Sequence, residues 1–429
     1  MKILVISNSP FRTDSNLGKT LSALFREFNS NELHQLYFHS SIPDVCSCEE
    51  YYQISEKQII ESCFGVVKKR CGRIINKPVT SLFLNKSHSF LKEKKDSTIL
   101  LWFREELWKC SWWNHSVLQQ WISGWAPQLI FFVLSNSASR ANFVRKLSKD
   151  RDCPVILYVT DDYYHDMRLK SSFARKLFYC NLQKSIRRMS SCVKAVIGCS
   201  ELASKEFSEL LHVNGKTVFT PYSIECDKIS FKRKGNYPLI LRYFGNLTLE
   251  RWKVLHVLGE KIARINGDGR KAFLEIYSSQ PSREILDAVN VTNGSQYMGW
   301  VSGEKYWKLL EDADISVHVE SFSEEACRRT RLSISTKIAD YLGAGKCILA
   351  VGREDLASIQ HLKDCACIVN RPEDIDSALE DLFQNQSRRF ELAESAREKA
   401  VLQHDPHHVS KQLRQIFSES LQCNIDTVK

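Results

Sequence analysis

The sequence predicts an α/β protein built from two Rossmann-like domains that face each other across a cleft. The chain has 429 residues, which is enough for two or three domains. Short apolar runs of strand length alternate along it with segments whose apolar residues recur at helical spacing. The alternation is interrupted near Thr220–Gly235, where Pro221 and a run of Lys and Arg break the pattern. Two alternating halves therefore predict two parallel sheets covered by helices.

Composition excludes several classes of protein. Hydrophobic residues make up 43% and charged residues 26%, as in soluble globular proteins, while the low counts of Gly (17) and Pro (10) exclude a disordered chain. Lys and Arg exceed Asp and Glu by 60 to 50, a formal charge of +10 that favours anionic ligands. The longest uncharged apolar stretch, Leu129–Leu134, is too short to span a membrane. We expect a cytoplasmic protein, and peripheral contact with the inner face of the membrane stays open.

Fifteen cysteines raise the question of disulfides or zinc. The chain holds no Cys-x-x-Cys, and most cysteines stand singly inside apolar runs, as Cys192, Cys199 and Cys347 do. This spacing favours reduced, mostly buried thiols over a disulfide framework or a zinc site. We therefore expect no metal.

The first half opens with a buried strand, Lys2–Ser7, followed by a polar loop and a helix that begins near Leu17. Further runs of strand character follow it: Ser97–Phe103, Gln128–Leu134, Pro154–Thr160 and Lys194–Cys199. The basic stretch Val66–Arg73 is read as a solvated helix face, with a patch for an acceptor or a membrane as the alternative.

The second half repeats the alternation. The predicted strands are Pro238–Phe244, Phe273–Tyr277, Gln296–Met298, Asp314–Val319, Cys347–Val351 and Ala366–Val369. The predicted helices are Glu250–Ile265, Ser282–Val289, Glu304–Ala313, Ser335–Leu342, Pro372–Phe383 and Pro406–Leu421. The resulting domains are residues 1–222, residues 236–404, and a C-terminal helical segment, 405–429, that crosses back to the first domain.

The strongest local signal for chemistry is the predicted helix that begins at Ser335 or Thr336. Either hydroxyl can cap the helix. Lys337 then lies in the first turn, at the positive end of the helix dipole, where a cation costs roughly 0.3–1 kcal/mol unless an anion is nearby. A phosphate at this terminus would explain both the hydroxyls and the lysine. An exposed lysine that points away is the alternative. Asp340 shares the face of Lys337 and would either bind a ribose diol or pair with that lysine.

A second signal follows the strand that ends at Phe244. Gly245 and Asn246 come directly after it, so the backbone can approach a ligand closely there. Arg251 and Lys253 begin the next helix and offer basic groups to a diphosphate. An ordinary turn with solvated basic residues would show the same pattern.

Acidic residues follow two other predicted strands. Asp161 and Asp162 end one in the first half, with His165 just after, and could orient or deprotonate a hydroxyl group. A helix cap is the alternative role for such an aspartate. Glu320 ends a strand of the second half and is a further catalytic candidate, whereas His318 inside that strand is read as a core histidine.

The loop after the first strand, Asn8 to Lys19, is predicted to face the cleft. It carries Arg12, Gly18 and Lys19, which are candidates for binding an acceptor. A plain connection between a strand and a helix is the alternative.

Taken in order, these segments resemble the GT-B fold glycosyltransferases, in particular the family 4-like enzymes of bacterial polysaccharide and lipopolysaccharide synthesis. The resemblance runs over most of the chain. It is carried by Ile3–Gly18, Gly198–Ala203, Tyr243–Leu247 with Arg251, Gly299–Val301, Ala313–Ile315, Ser335–Lys337 and Asp340–Lys346.

The resemblance implies a glycosyltransferase that uses a nucleotide-sugar donor without a metal or other cofactor, with a lean towards retention of the anomeric configuration. Donor binding would fall to the second domain, with Arg251, Lys253 and Lys337 on the diphosphate and Asp340 on the ribose. The first domain would bind a glycan or lipid-linked acceptor, and nucleic acid is not an expected partner. Two alternatives stay open: a nucleotide-sugar 2-epimerase on the same fold, and a non-catalytic protein that binds a nucleotide or polysaccharide.

Overall fold

A computed structural model describes residues 1–14, 16–64, 71–76, 98–109, 113–165, 173–229, 237–269 and 271–426. It divides the chain into two compact units. Unit 1 comprises Met1–Val218 and Ser410–Lys429, and unit 2 comprises Phe219–Val409. Residues 66–70 of the predicted basic stretch lie outside the described residues.

Unit 1 contains a sheet of eight strands within the described residues, in the order β4-β3-β2-β1-β5-β6-β7-β8. Every neighbouring pair is parallel except β3 and β4. The strands are β1 Ile3–Ser7, β2 Leu33–Tyr37, β3 Glu50–Gln53, β4 Arg73–Ile75, β5 Leu129–Val133, β6 Val155–Val159, β7 Val193–Gly198 and β8 Asn214–Thr217.

Helices connect these strands. They are α1 Asn16–Leu24, α2 Glu56–Phe64, α3 Thr98–Lys109, α4 Ser116–Trp125, α5 Ala138–Arg151, α6 Phe173–Arg187 and α7 Glu201–Leu211, with short 3₁₀ turns at Ser30–Glu32 and Arg188–Ser191.

Unit 2 contains a six-stranded sheet in the order β11-β10-β9-β12-β13-β14, and every pair in it is parallel. Its strands are β9 Leu239–Phe244, β10 Ala272–Tyr277, β11 Ser295–Gly299, β12 Ile315–Val319, β13 Cys347–Val351 and β14 Cys367–Val369. Its helices are α8 Arg251–Asn266, α9 Arg283–Val289, α10 Gly303–Asp312, α11 Glu324–Thr330, α12 Thr336–Gly343, α13 Ala357–Leu362, α14 Ile375–Gln384 and α15 Gln386–Gln403, with 3₁₀ turns at Ile224–Lys228 and Pro372–Asp374.

The sheet of unit 2 is buried on both faces. In β13, Leu349 and Val351 join one apolar cluster, whereas Ile348 and Ala350 join the other. This division follows from the period of two along a strand, because successive side chains point to opposite faces. A strand that is apolar at every position, such as Cys347–Val351, can therefore only be a strand covered on both sides.

The last helix, α16, spans Pro406–Asp426, and its residues from Ser410 onward belong to unit 1. Phe417 is fully buried there and packs against Phe25, Phe28 and Phe131. Arg414 of the same helix pairs with Glu32 at 2.9 Å. Aromatic packing and this ion pair together attach the end of the chain to the first unit.

The predicted fold class, two α/β units with parallel sheets, is confirmed. The predicted strand Ser97–Phe103 is wrong, because residues 98–109 form helix α3. An apolar run of this length fits a strand or a buried helix equally well, and the next buried residues, Leu107 and Trp108, extend it at helical spacing. Strands β2, β3, β4 and β8 were not predicted, since polar residues interrupt them, as in Asn214–Thr217.

Two expectations about the chain's surroundings concern membranes and thiols. Among the described residues no helix has the length and apolar character needed to cross a bilayer. Most of the described cysteines are buried, as expected, while Cys46 and Cys180 are exposed.

Candidate active site

The loops that could form a site in unit 2 meet where the strand order of its sheet reverses. The chain leaves β9 for β10 on one side and later returns as β12 on the other, so β9 and β12 are neighbours. In open parallel sheets, ligands bind beyond the carboxyl ends of the strands at such a switch point. Gly245 follows β9 here, and Glu320 follows β12.

The loop after β9 requires a glycine at its first position. A Cβ atom added to Gly245 would lie 2.5 Å from the hydroxyl oxygen of Tyr243, which donates a 2.6 Å hydrogen bond to the carbonyl of Asn246. Leu249 and Glu250 further along the loop both have positive φ, at 57° and 59°. Such backbone strain in non-glycine residues clusters at functional sites.

Arg251 and Glu320, two of the predicted site residues, form an ion pair across the switch point. The Nη2 atom of Arg251 lies 2.9 and 2.8 Å from the two carboxylate oxygens of Glu320, and Nε lies 3.1 Å from one of them. The side chains are only 14% and 5% exposed. Burial is the largest single effect and lowers the pKa of the Arg251 guanidinium, but the charges of Glu320 and Tyr243 and the hydrogen bonding to Glu320 together raise the pKa above its ordinary value.

The neighbours of this pair fix its position. Asn246 accepts a 2.9 Å hydrogen bond from Nη1 of Arg251. His318, within β12, lies with Nε2 3.8 Å from Glu320, and burial lowers its pKa to about 4, so it is neutral at pH 7. It is 5% exposed, which confirms its reading as a core histidine. Lys253 points elsewhere, since its ammonium group pairs with Glu250 at 3.0 Å and its side chain is 55% exposed.

Helix α12 brings a lysine and hydroxyl groups to the same edge of the sheet. Ser335 caps the helix and accepts a hydrogen bond of 3.3 Å from the amide of Lys337, as its sequence position predicts. The ammonium group of Lys337 lies 4.2 Å from the centre of the Tyr306 ring, which is within range for a cation–π contact. Thr336 is the first residue of the helix. An anion placed here would meet a lysine and a helix N-terminus together.

Tyr306 of α10 also reaches Asp340, one turn further along α12. Its hydroxyl group donates a 3.0 Å hydrogen bond to Oδ2 of Asp340, which is only 2% exposed. Burial, and then the charge of Asp340, raise the pKa of the Tyr306 hydroxyl well above its ordinary value. The aspartate therefore faces the interior of unit 2 and contacts Tyr306.

Aromatic contacts connect α12 to the end of β9. The Tyr341 hydroxyl lies 3.3 Å from the amide nitrogen of Phe244 and 3.5 Å from its carbonyl oxygen. The ring of Phe244 packs against Tyr306 at 4.9 Å and against Tyr277 at 5.1 Å. The structure thus joins Lys337 to the Gly245 loop through Tyr306 and Phe244.

In unit 1 the predicted acidic residues follow β6. Asp162 is 4% exposed, and its Oδ1 accepts hydrogen bonds from the amides of Tyr164 and His165, at 3.2 and 2.8 Å. These bonds resemble those of a helix cap, the alternative role given above for such an aspartate. Asp161 lies beside it and accepts hydrogen bonds from the hydroxyl groups of Thr160 and Tyr163, at 3.2 and 3.4 Å.

His165 lies between two carboxylates. Its Nδ1 is 3.1 Å from Oδ1 of Asp162 and 3.5 Å from Oε2 of Glu206, a residue of α7 that the sequence did not single out. The three residues bring one ligand atom each within 4.8 Å of one another and could hold a metal ion. Hydrogen bonding explains the arrangement equally well, since Nδ1 of a histidine can donate to either neighbouring carboxylate.

The candidates of the first loop do not all lie in a loop. Arg12 does, and it pairs with Asp14 at 2.5 Å and with Asp44 at 3.8 Å, while also donating to the carbonyl of Ile42. The hydrogen bonds that Arg12 donates to Asp14 contribute most to raising the pKa of the Arg12 guanidinium. Gly18 and Lys19 instead lie inside α1, which begins at Asn16, one residue before Leu17, where the helical spacing of apolar residues starts.

Reasoning from the sequence missed the residues that link the predicted ones. Tyr306, Tyr341 and Phe244 support Lys337 and Asp340, and Glu206 supports His165. The sequence offered little reason to assign Tyr306 to a site, because an aromatic residue near the start of an amphipathic helix usually belongs to the core. Its contact with Asp340 spans 34 residues of sequence, which no local pattern can reveal.

We compared the sequence and the structure with those of known proteins. Residues 256–415 match the family model described as glycosyl transferase-like, and they include α12 with Lys337 and Asp340. No curated protein matches the sequence.

Solved structures resemble the chain over nearly its whole length. HepE of Anabaena, in complex with UDP-glucose, has a TM-score of 0.60 at 12% identity, with 98% of this chain and 100% of that one covered. An α,α-trehalose-phosphate synthase (UDP-forming) of Burkholderia vietnamiensis has 0.62 at 9%, covering 99% and 100%. Sucrose-phosphate synthase of Thermosynechococcus elongatus has 0.59 at 10%, covering 99% and 100%.

These likenesses show the fold, and the glycosyl transferase-like family model matches residues 256–415, which cover most of the second unit. The predicted resemblance to GT-B fold glycosyltransferases and the predicted enzyme class are thereby confirmed, while the family 4-like assignment stays a prediction. The chain is a protein of the GT-B fold whose second unit carries a glycosyltransferase-like domain.

Proposed function

We propose that the protein transfers a sugar from a uridine diphosphate sugar to a glycan or lipid-linked acceptor in the synthesis of a cell-surface polysaccharide. The observation that carries the proposal is the position of Lys337, in the first turn of α12 inside the glycosyl transferase-like region. The choice of uridine rests on the fold neighbours, among which HepE was solved with UDP-glucose and a trehalose-phosphate synthase is UDP-forming.

Transfer requires that the bond between the anomeric carbon and the diphosphate oxygen breaks while the acceptor oxygen bonds to that carbon. The leaving diphosphate gains negative charge, so preorganised cations and amides accelerate the step. In our proposal Lys337 and the amides after Ser335 and Thr336 supply this stabilisation. Asp340, held by Tyr306, is the proposed partner of the ribose.

Arg251 would take part by exchanging partners. Its guanidinium is now bound to Glu320, and a diphosphate arriving at Gly245 and Asn246 would compete with that carboxylate. Guanidinium groups bind phosphate and carboxylate with similar fork geometry. Once displaced, Glu320 would be available to the donor sugar, and Lys253 would add charge at the rim.

In unit 1 we propose that Asp162, with Asp161 and His165, positions the acceptor hydroxyl and accepts its proton. Arg12 and Lys19, with Gly18 in the same helix as Lys19, would contribute to acceptor binding. The mechanism uses no metal. The proposed location is the cytoplasm, with peripheral contact at the inner face of the membrane.

The test is turnover with purified protein, offering UDP-glucose, UDP-galactose and UDP-N-acetylglucosamine with and without candidate acceptors. We expect UDP release that depends on the acceptor, and a glycosylated product by mass spectrometry. Release of a free epimer without acceptor would instead identify an epimerase. Tight UDP binding with no turnover on any acceptor would indicate a binding protein.

A further inference from the structure

The sheet of unit 1 has its own switch point, and an anion cradle lies there. The strand order reverses at β1, so β1 and β5 are neighbours whose connections lead in opposite directions. Asn8 follows β1 directly, and Ser137 with the start of α5 follows β5. By the rule applied to unit 2, the carboxyl ends of these two strands are where unit 1 is expected to bind a ligand.

A carboxylate from the protein itself occupies this place. Oε1 of Glu105, a residue of α3, accepts hydrogen bonds of 2.6 and 2.7 Å from the amide and the hydroxyl of Ser139. Oε2 accepts a 3.0 Å hydrogen bond from the hydroxyl of Ser137, the N-cap of α5. Glu105 is only 6% exposed. Three donors at the start of a helix of 14 residues thus surround one anionic group.

This donor set is the kind that binds a phosphate group. A helix N-terminal amide and two hydroxyl groups donate hydrogen bonds, and the helix dipole favours negative charge. Oxygen atoms of a phosphate could occupy the positions of the two carboxylate oxygens. A glutamate in such a cradle therefore acts as a stand-in for an oxyanion.

A buried arginine gives independent evidence for an anionic ligand. Arg140, in the first turn of α5, is 5% exposed. Its guanidinium lies 4.5 Å from the ring centre of Trp108 and 4.7 Å from that of Phe38, and it donates to the side chain of Asn8. Its Nε has no hydrogen-bond partner among the described residues.

Buried arginines are rare unless they are paired. Within the described part of the chain no carboxylate lies within 4 Å of the Arg140 guanidinium, although the charges of Glu56 and Glu105 act on it from further away. Burial lowers the pKa of Arg140 to about 10, so it is still a cation at pH 7. An incompletely paired, preorganised cation thus belongs to the same first turn of α5 as the cradle, and the charge of Glu105 acts on it.

We propose that the cradle of Ser137, Ser139 and Arg140 binds a phosphate group of the acceptor, and that Glu105 occupies it until the acceptor displaces it. This inference rests on the proposed function, because it assigns unit 1 to the acceptor. It adds the chemical class of the acceptor, a phosphorylated molecule. It also makes α3, which carries Glu105 and Trp108, a competitor of the acceptor.

The experiment measures binding of inorganic phosphate to the full chain by isothermal titration calorimetry. Glu105→Ala empties the cradle, and we expect it to bind phosphate at least tenfold more tightly than the wild type. Glu106→Ala is the matched control, because it removes the same charge from the next residue of α3, which pairs with Lys109 at the surface. We expect it to behave as the wild type does.

Two further variants keep the test decisive. Glu105→Gln retains the volume of the side chain and removes its charge. It replaces Glu105→Ala should that variant fail to fold. We expect it to bind phosphate about threefold more tightly than the wild type. Adding Arg140→Met to the Glu105→Ala variant should abolish the gain in affinity for phosphate. Equal phosphate binding by the wild type, the Glu105 variants and the Glu106 variant would overturn the proposal.

Two further titrations of the Glu105→Ala variant distinguish a soluble phosphorylated acceptor from a lipid-borne one. One arm uses glucose 6-phosphate, and the other uses vesicles of phosphatidylcholine with phosphatidic acid. Tighter binding in either arm supports the proposal and identifies a soluble or a lipid-borne acceptor, and a gain in neither overturns it. Because UDP binds in unit 2 by our proposal, UDP titrations of the same variants report separately on the proposed function.

Discussion

The hydroxyl group of Tyr306 donates a 3.0 Å hydrogen bond to the buried carboxylate of Asp340, while the ring of the same tyrosine lies 4.2 Å below the ammonium group of Lys337. One side chain of α10 therefore orients two residues of α12. The two interactions use different parts of the tyrosine, so they can be separated by mutation.

Tyr306→Phe should remove the hydrogen bond and keep the ring. Leaving a buried acceptor without its hydrogen-bond donor costs about 1–3 kcal/mol, so the free energy of unfolding should fall by that amount. Tyr306→Leu should also lose the cation–π contact, worth about 0.5–2 kcal/mol, and UDP affinity should fall about fivefold. Urea unfolding and UDP titration measure the two effects. Equal UDP affinity in both variants would refute a role for the ring.

The Arg251–Glu320 pair should couple strongly. Removing one partner leaves a buried charge, so Arg251→Ala and Glu320→Ala should each lower the free energy of unfolding by about 3–5 kcal/mol. Arg251→Met with Glu320→Leu should recover most of that loss. Lys253→Ala, at an exposed pair with Glu250, is the control and should cost no more than about 1 kcal/mol. Additive effects of the two single changes would contradict the pairing.

Stability should fall in mild acid because of a buried histidine pair. The carbonyl of Thr220 can only accept, so Nδ1 of His404 carries the proton and Nε2 accepts from His361, 2.8 Å away. Burial lowers the pKa of His404 to about 4, below the value near 6.5 of an unfolded histidine. The unfolded state then binds more protons between these values, so stability falls as the pH drops from about 6.5 to 4.

The magnitude attributable to His404 is on the order of 3 kcal/mol, because each pKa unit corresponds to about 1.4 kcal/mol. His404→Asn can still donate to Thr220 but does not titrate, so its stability should depend less on pH in this range. His212→Asn, at the exposed C-terminal end of α7, should keep the wild-type slope. Denaturant midpoints measured every half unit of pH would show this. Identical slopes in all three proteins would contradict the assignment.

Metal removal should leave activity intact. Asp162, His165 and Glu206 could hold an ion, but Oδ1 of Asp162 already accepts two amide hydrogen bonds, and a hydrogen bond to Asp162 accounts for the position of the histidine ring. Dialysis against a chelator should therefore change turnover less than twofold. Loss of turnover that zinc or manganese restores would show that the cluster is a metal site.

The sequence was sufficient for the strands whose two faces are both covered. Runs such as Leu239–Phe244 and Cys347–Val351 are apolar at nearly every position, and turn residues bound them. It was insufficient towards the two ends of the unit 1 sheet, where β3, next to the edge strand β4, and the edge strand β8 carry polar residues and form only because a neighbouring strand supplies the hydrogen bonds. Helix α3 was wrongly predicted as a strand for a different reason, because a short apolar run alone does not distinguish the period of a helix from that of a strand.

For the site, local signals identified single groups but not their partners. The cap at Ser335 and the lysine after it follow from spacing along one helix. The partner of Arg251 is 69 residues away, and the Glu105 cradle joins α3 to a serine 34 residues later. Only the order of strands in the two sheets brings these groups together.

In our proposal Lys337, at the start of α12, binds the diphosphate of the donor. The most direct test is a calorimetric titration of UDP into the wild type, Lys337→Ala and Lys308→Ala, the last removing an exposed lysine of α10 that pairs with Glu304. We predict that Lys337→Ala weakens UDP binding at least thirtyfold and leaves the fold intact, while Lys308→Ala binds as the wild type does. Wild-type affinity for UDP in a folded Lys337→Ala protein would refute diphosphate binding by Lys337.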